Sequence, residues 1–340
     1  MLVTGGASFI GSHLVEALVA RGAHVRVADD FSSGRVGNLG LVASDVEVLQ
    51  VDLKDGSTAA AACRSVEVVF HLAADHGGRG YVDLHQAACA TNFGLDQAVF
   101  NAALAARVEK VVFASSGCVY PLCIQGDPAV ETYLTEEMVG PPFEPDGLYG
   151  LAKLAGELSL RALHREHGLG AASCRYFTVY GPRGVENHAV MAMIARAVLR
   201  EDPFAVWGTG QQIRNWTHVD DIVAGTIAAA ERVDDGTAVN LGTTERVRVL
   251  DAVGMVCALE GYQPEIRLQP EMPTGPLNRV ADNSLARDLL GWQPRVSFAD
   301  GVRRTFEWYK ATQDPKAVRA RLPGLLTGRP RAEMPVAAVP

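Results

Sequence analysis

The chain has few of the features that mark several protein classes. Its six cysteines are scattered over 340 residues with no C-x-x-C pair, so we expect neither a disulfide scaffold nor a metal site. A net charge of −8 without a basic stripe argues against a nucleic-acid partner. No apolar run reaches the ~18 residues of a membrane span, which argues against a membrane partner. The absence of a leader pattern before Leu2 predicts a cytoplasmic location.

Short β-branched runs alternate with helical patterns in the first half of the chain. Strands are predicted at 2–4, 24–28, 46–51, 66–72, 110–114 and 172–177, and helices at 11–20, 92–106 and 149–167. This alternation is typical of an α/β fold with a doubly wound parallel sheet. After Tyr180, prolines separate shorter elements, which predicts a smaller α+β region. The run 238–241 predicts a strand that returns to the main sheet.

These patterns predict two intimate domains. The first is expected over residues 1–178 plus about 215–245, and the smaller C-terminal α+β substrate domain over 179–214 and 246–312. Residues 313–340 are rich in Pro, Ala and Arg without clear periodicity. We interpret them as a tail that lies on the surface or is disordered.

A glycine-rich turn, Thr4-Gly-Gly-Ala-Ser-Phe-Ile-Gly11, joins the first strand to the first helix. Gly5 and Gly11 permit a tight turn and close packing of helix on strand, and N–H groups at the helix start can hold a pyrophosphate. Ser8 replaces the usual middle glycine, and its hydroxyl can donate to phosphate. Alone, this turn is a weak signal, because glycine-rich turns also occur without a ligand.

The residues after the next strands strengthen the interpretation. Asp29 lies roughly 20 residues on, where a carboxylate binds the adenine ribose and repels a 2′-phosphate, which favours NAD over NADP. Asp52 and Leu53 end the third strand and could frame the adenine. The small residues after His71 let a dinucleotide pass. The alternative role of Asp29 is to cap the following turn.

Tyr149 and Lys153 are four residues apart on a predicted helix and so share one face. An ammonium near a phenol favours the phenolate and is expected to lower its pKa. The phenolate can take a proton from an alcohol while hydride leaves the same carbon for nicotinamide. Ser116 could hold the same oxygen. The alternative is a surface helix that carries a lysine and a half-buried tyrosine.

These motifs occur in order with Arg175–Pro182, Trp207–Asp221, Asn240–Gly242, Arg279–Asn283 and Leu290–Pro294. Together they resemble the extended short-chain dehydrogenases/reductases of the nucleotide-sugar epimerase/dehydratase family, over residues 1 to about 312. The resemblance implies a Rossmann-type fold, tightly bound NAD, a nucleoside-diphosphate-sugar substrate, and a homodimer formed through the 84–106 and 149–167 regions.

The resemblance also implies which residues form each part of the site. The cofactor site would comprise Gly5, Ser8, Phe9, Ile10, Gly11, Asp29, Asp52, Leu53, Leu72, Ala73, Ala74, Ser115, Tyr149, Lys153 and Tyr176. The substrate site would comprise Gly77, Gly78, Arg79, Cys118, Thr178, Asn187, Trp207, Gln212, Arg214 and Arg279. Of these, Arg214 and Arg279 would hold the diphosphate. Thr178 departs from the asparagine that many members have there.

Cys118 lies two residues before Tyr120, where dehydratases and decarboxylases of the family have glutamate. A thiol there, with the glycine-rich segment 77–80, resembles the GDP-mannose 3,5-epimerases. Oxidation of C4 to a ketone acidifies the protons at C3 and C5, and a thiol with a pKa around 8.5 can move one of them. The alternative is a cysteine that acts as a small hydrophobic residue.

Inversion needs a second acid/base on the opposite face of the sugar. In those enzymes a lysine follows the G-P-x-G turn, and here Asn187 takes its place. His188 is the predicted substitute, with His76 as another candidate, because imidazole titrates near neutrality. The alternative for each is a loop histidine bonded to the backbone.

The sequence thus predicts an NAD-dependent nucleotide-sugar epimerase that acts through a transient 4-keto sugar, with proton exchange at C3 and/or C5. Its catalytic residues would be Tyr149, Lys153, Ser116, Cys118 and His188. The alternatives are a UDP-glucose or UDP-glucuronate 4-epimerase with an inert Cys118, a 5,6-dehydratase, and, more remotely, a non-catalytic NAD-binding module. The nucleotide, the sugar, the inverted carbon and the pathway stay open.

Overall fold

A computed structural model describes residues 1–329 of the chain. Its strands are β1 (Leu2–Thr4), β2 (Val25–Asp29), β3 (Val46–Gln50), β4 (Val68–His71), β5 (Lys110–Ser116), β6 (Gly170–Tyr176), β7 (Val179–Tyr180), β8 (Phe204–Trp207), β9 (Ile213–Arg214), β10 (Thr217–His218), β11 (Asp235–Leu241), β12 (Val247–Arg248), β13 (Ile266–Gln269) and β14 (Asn278–Arg279). Its helices are α1 (Phe9–Ala20), α2 (Gly56–Ala62), α3 (Arg79–Leu84), α4 (Gln86–Ala105), α5 (Gly147–His167), α6 (Ala189–Val198), α7 (Val219–Arg232), α8 (Val249–Glu260), α9 (Phe298–Thr312) and α10 (Pro315–Leu325). None of these described helices has the length and hydropathy to span a membrane.

The main sheet has seven parallel strands in the order β11-β6-β5-β4-β1-β2-β3. The α/β fold class with a doubly wound parallel sheet is therefore confirmed, and β11 joins the sheet beside β6. The chain builds β1 to β3 toward one edge and then returns to place β4 on the other side of β1. Such a reversal opens a crevice at the carboxyl ends of the strands, which is where sheets of this kind bind ligands.

The sheet forms because its central strands are apolar on both faces. In β5, Val111 and Phe113 are buried with residues of α4 and α5, whereas Val112 and Ala114 are buried with residues of α1 and α7. Successive side chains of a strand point to opposite faces, so one short run supplies two cores. A third core forms around Trp216 between α6, α8, α9 and α10 and lies in the C-terminal half of the chain.

The prediction of a tail from residue 313 is wrong for the part that the structure describes. Asp314 caps α10 by accepting the Lys316 N–H at 3.1 Å, and Val318, Leu322 and Leu325 are buried. These three apolar residues are spaced i, i+4 and i+7, so they form one helix face, and Val318 and Leu322 of that face pack in the third core. The Arg- and Pro-rich composition around them concealed this pattern. Residues 330–340 lie outside the described residues.

Helices α4 and α5 pack side by side on the sheet and leave part of their outer face apolar. Phe93 on α4 and Leu151 and Leu158 on α5 are 37%, 39% and 39% exposed. The homodimer predicted from the sequence would bury these side chains at an interface. That dimer stays a prediction.

Removing the side chain of Leu322 tests the docking of α10. We expect Leu322→Ala to lower the free energy of unfolding by about 2–5 kcal/mol, because the residue is 3% exposed in an apolar core. Urea denaturation measures the change. The exposed Lys316→Ala on the same helix should leave the midpoint unchanged, and equal stability of the two variants would contradict the packing described.

Candidate active site

The crevice at the carboxyl edge of the sheet contains a cavity of about 370 Å³ and, beside it, a smaller one of about 170 Å³. Predicted residues that line the large cavity are Ser8, Phe9, Ile10, Leu72, Ala74, Gly77, Gly78, Arg79, Ser115, Ser116, Cys118, Tyr149, Lys153, Tyr176, Thr178, Asn187, His188, Trp207, Gln212, Arg214 and Arg279. Those that line only the small one are Gly5, Asp29, Asp52, Leu53 and Ala73. Gly11 lines neither, because it packs beneath the turn.

The glycine turn has the geometry of a phosphate cradle. A Cβ on Gly11 would lie 2.1 Å from the Gly5 carbonyl oxygen, and Gly5 itself has φ +67°. The Ser8 hydroxyl donates to that carbonyl at 2.5 Å, so it stabilises the turn. No side chain caps α1, which leaves the N–H groups of its first turn facing the cavity with the positive end of the helix dipole.

Asp29 both holds the turn and lines the adenosine end of the crevice. Its carboxylate accepts the N–H of Ala7 at 2.9 Å and of Phe31 at 2.8 Å. Burial raises the pKa of Asp29, and these two hydrogen bonds oppose the shift. The neighbouring Asp30 is exposed and lines the same small cavity, so it is a second carboxylate available to ribose hydroxyls.

Lys153 is the strongest sign of a ligand in the crevice. Its ammonium is fully buried, has no hydrogen-bond partner among the described residues, and lies 4.5 Å from the centre of the Phe113 ring. Burial lowers its pKa. A buried cation without a partner is costly, so the position fits the hydroxyls of a cofactor ribose.

Tyr149 is half-buried one helical turn from Lys153, and the Lys153 ammonium lies 5.9 Å from the centre of the Tyr149 ring. Burial raises the pKa of Tyr149, with the charges of Cys118 and Asp96 adding to the shift and a hydrogen bond with Ser116 opposing it. The expectation that Lys153 lowers the pKa of Tyr149 is therefore wrong for the protein without its cofactor. Burial dominates because the helix packs this face against the sheet.

Ser115 and Tyr176 line the cavity, but their hydroxyls serve the protein interior. Ser115 donates to Glu157, whose carboxylate is paired with Arg175 at 2.8 Å. The Tyr176 hydroxyl is hydrogen-bonded to Thr226 at 2.8 Å. Both residues therefore shape the wall of the crevice and leave hydrogen bonding toward a ligand to other side chains.

Three arginines that line the large cavity lie near one buried carboxylate, and two of them contact it. Asp146 accepts Arg79 at 2.7 Å and Arg279 at 3.0 Å. Burial opposes ionisation of Asp146, but the guanidinium groups of Arg279 and Arg79 together hold its pKa below the usual value. Arg214 donates only to backbone carbonyls, those of Ile213 and Thr274. Burial, followed by the charges of Arg279 and Arg79, lowers its pKa to about 9. The cluster has an excess of positive charge that fits a diphosphate.

Sequence reasoning missed Asp146. It precedes α5 in a proline- and glycine-containing loop, where an aspartate normally caps a helix. Only the fold brings Arg79 and Arg279 to it from 67 and 133 residues away in sequence.

Cys118 lies beside the arginine cluster and in the same cavity as Tyr149. Arg279 donates from Nη1 to the Cys118 sulfur at 3.2 Å. The backbone N–H of Cys118 donates to the Ser116 hydroxyl at 3.1 Å. Cys118 is only partly buried. The thiol therefore has polar surroundings and a cation as its neighbour, unlike a cysteine that fills an apolar core.

His188 and His76 form a pair in the same cavity as Cys118. Their ring centres are 5.9 Å apart, and both line the large cavity. Burial lowers the pKa of His188 to about 4. Burial also lowers the pKa of His76, with the charges of His188 and Arg329 adding to the shift. Both imidazoles are thus neutral near pH 7, which is the form that can accept a proton.

The remaining predicted substrate residues fix the loops around the cavity. The Asn187 amide donates to the Gly328 carbonyl at 3.4 Å, and a Cβ on Gly78 would collide with the Asn187 carbonyl oxygen at 1.5 Å. Gln212 donates to the Trp207 carbonyl at 3.0 Å, and its own Oε1 is buried without a partner among the described residues. Gln212 therefore has an acceptor free for a ligand donor.

The glycine cradle, the unpartnered lysine and the tyrosine beside it lie along one crevice, and comparison with known proteins agrees with that arrangement. The sequence matches the NAD-dependent epimerase/dehydratase family over residues 1–242. The chain belongs to this family. NAD is therefore its cofactor, and the cradle, Asp29 and Lys153 are the residues that fit it.

Members of the family with different reactions are similarly related to this chain. GDP-mannose 3,5-epimerase 1 of Oryza sativa subsp. indica is 31% identical over 316 residues, which is 91% of this chain and 81% of that protein. UDP-glucose 4-epimerase of Mycolicibacterium smegmatis is 33% identical over 316 residues, 91% of this chain and 98% of that one. The crystal structure of UDP-glucose 4-epimerase with UDP-glucose from Thermotoga maritima has a TM-score of 0.82 at 29% identity, covering 92% of this chain and 99% of that one.

Asp146→Asn tests the arginine cluster. We expect it to lower the free energy of unfolding by about 3–5 kcal/mol, because the substitution leaves buried guanidinium groups without their counter-charge. Asp83→Asn is the matched control, since Asp83 also pairs with Arg79 but is 30% exposed. Asp83→Asn should lower the free energy of unfolding by about 1 kcal/mol or less. Equal costs in urea denaturation would show that burial of Asp146 does not matter.

Proposed function

We propose that the protein is an NAD-dependent nucleotide-sugar epimerase that acts through a transient 4-keto sugar, with proton exchange at C3 and/or C5. The observation that carries this proposal is the presence of Cys118 in the same cavity as Tyr149, Ser116 and Lys153. A redox pair alone suits exchange at C4, whereas a thiol next to it adds a group that can move a proton at a neighbouring carbon.

In the oxidation half of the reaction, Tyr149 acts as the phenolate and takes the proton of the sugar O4 hydroxyl. The positive charges of Lys153 and of NAD⁺, once NAD⁺ is bound, would favour the phenolate over the neutral phenol of the protein alone. Ser116, which lines the same cavity, holds the sugar O4. Lys153 binds the cofactor ribose with its buried ammonium and adds positive charge near the phenol. When bound, NAD supplies the hydride acceptor and later the hydride donor, so the cycle is redox-neutral.

The 4-keto group acidifies the protons at C3 and C5. Cys118 exchanges a proton on one face of the sugar, next to Arg279. His188, or His76 in contact with it, acts on the other face. The neutral imidazole removes the proton from one of these carbons, which forms the enolate, and the thiol then protonates the same carbon on the other face. The imidazolium and thiolate that result return to their starting forms by proton exchange with solvent. In this proposal, Cys118 and a histidine act where the resemblance to the 3,5-epimerases implies a thiol and a lysine.

Arg214, Arg279 and Arg79 bind the diphosphate of the substrate, since this cluster has three cations around one buried carboxylate. Arg279 then connects the two parts of the site, because one guanidinium contacts both Asp146 and the Cys118 sulfur. Binding of a diphosphate there fixes the position of the group that flanks the thiol.

A UDP-sugar 4-epimerase is the second candidate. The Mycolicibacterium smegmatis relative, which is named a UDP-glucose 4-epimerase, is 33% identical over 91% of this chain. In that case Tyr149, Ser116 and Lys153 are sufficient, and Cys118 takes no part in the reaction.

Deuterium uptake separates these two candidates. Incubation with a panel of nucleotide sugars in D₂O, followed by NMR, should show deuterium at C3 or C5 with the wild-type protein. Cys118→Ala and Cys118→Ser should abolish inversion at these carbons and keep NAD bound, because His188 alone then exchanges the proton on one face, whereas the exposed Cys123→Ala should behave as the wild type. Inversion at C4 without deuterium at either carbon would instead establish the 4-epimerase.

His188→Gln tests the second acid/base. With Cys118 alone, the enzyme should still exchange one proton with solvent but should not invert the carbon, because both transfers then occur on one face. The wild-type rate should fall only as pH drops through about 4, where His188 becomes protonated and can no longer accept a proton. His167→Gln, at an exposed site, is the control. Normal inversion by His188→Gln, with loss of inversion in His76→Gln, would assign the role to His76.

A further inference from the structure

The four residues after α10, Leu326 to Arg329, cross the mouth of the crevice between the two halves of the molecule. The Leu326 carbonyl oxygen would lie 2.5 Å from a Cβ on Gly80. The Thr327 carbonyl accepts His85 Nε2 at 3.1 Å, and the Gly328 carbonyl accepts the Asn187 amide at 3.4 Å. Each of these residues therefore touches a different part of the rim of the crevice.

Arg329 continues this path into the crevice, and only 14% of its side chain is exposed. Its guanidinium pairs with Asp75 and lies 5.6 Å from the centre of the Tyr81 ring. Its other Nη donates to the Ser32 hydroxyl at 3.4 Å. Asp75 is itself fixed, because it accepts the Tyr81 hydroxyl at 2.8 Å and its N–H donates to Asn92 at 2.6 Å.

The order of the strands shows what lies beneath this bridge. Ser32 follows β2 and Asp75 follows β4, and β1 lies between those two strands. A side chain that joins Ser32 to Asp75 therefore passes over the carboxyl end of β1, where the glycine turn and the N-terminus of α1 are located. Arg329 accordingly lines both the large and the small cavity.

We propose that Arg329 is a cofactor-retaining residue, which closes the crevice over the pyrophosphate of NAD and donates to it from the side opposite the glycine turn. Among the described residues, its two hydrogen bonds use two of the five guanidinium N–H donors, so others remain for an anion. Asp75 and Tyr81 set the orientation of the guanidinium. The pyrophosphate then lies between the N-terminus of α1 and a cation from the C-terminal segment.

This role is independent of the sugar and of the reaction. It concerns a segment beyond residue 242, where the match to the family ends. It also implies an order of events: the segment must leave the crevice before NAD can enter or leave, because Arg329 spans the opening from the loop after β2 to the loop after β4.

Cofactor retention in the full-length protein tests the proposal without any activity assay. We expect purified Arg329→Ala to exchange bound NAD for isotopically labelled NAD at least about tenfold faster than the wild type, as measured by mass spectrometry of the released cofactor. Arg329→Lys should show an intermediate rate, because it keeps the charge but loses the planar fork. Arg319→Ala, an exposed arginine on α10, should exchange at the wild-type rate.

Arg329→Gln tests whether Arg329 retains NAD through a charged contact with the pyrophosphate or only by covering the crevice. The variant keeps much of the side-chain length but loses the charge. Exchange as fast as in Arg329→Ala supports the proposal, and exchange at the wild-type rate overturns the pyrophosphate contact. Unchanged retention in Arg329→Ala overturns the whole proposal. Circular dichroism and urea midpoints, compared with those of Arg319→Ala, establish that faster exchange does not arise from unfolding. A failure of the proposed epimerase reaction would leave these exchange rates unaffected.

Discussion

The main sheet is covered on both faces, and this constraint places the chemistry of the molecule. Val111 and Phe113 face one layer of helices and Val112 and Ala114 the other, so neither face of the sheet can hold a polar group without loss of packing. Ligands can approach only the ends of the strands. The reversal of strand order between β1 and β4 then widens the crevice at one position on the carboxyl edge, and the glycine turn, Lys153 and Tyr149 lie there.

Charge in this crevice is balanced only in part by the protein. Asp146 compensates Arg79 and Arg279, whereas Arg214 has backbone carbonyls and Lys153 has no partner among the described residues. Burial of such cations is unfavourable, and the free energy is recovered when anions and hydroxyls bind. The two ends of the crevice therefore favour different groups: the ribose and pyrophosphate of NAD at one end, and at the other an anion such as the diphosphate of the proposed substrate.

The position of Cys118 links these ends. Arg279 contacts both Asp146 and the thiol, so the group proposed to bind diphosphate also borders the group proposed to move a proton. The histidine pair in the same cavity is neutral because burial disfavours the imidazolium. In the proposed reaction, this neutral base and the thiol act on the two faces of the sugar.

The sequence by itself determined the elements whose signals are local. The alternation of strands and helices predicted the sheet to within two residues at most strand ends, the glycine turn predicted the dinucleotide cradle, and the i, i+4 spacing placed Tyr149 and Lys153 on one face. Helix α10 was missed, although its i, i+4, i+7 spacing is local, because its two prolines and the Pro-, Ala- and Arg-rich composition of residues 313–340 concealed the pattern. Tertiary structure alone decided the rest. Asp146 meets its arginines from 67 and 133 residues away, and Arg329 meets Asp75 from 254 residues away. Burial, which no local pattern encodes, reversed the expected pKa shift of Tyr149. Such contacts and burial depend on how distant segments pack, so they arise only when the chain has folded.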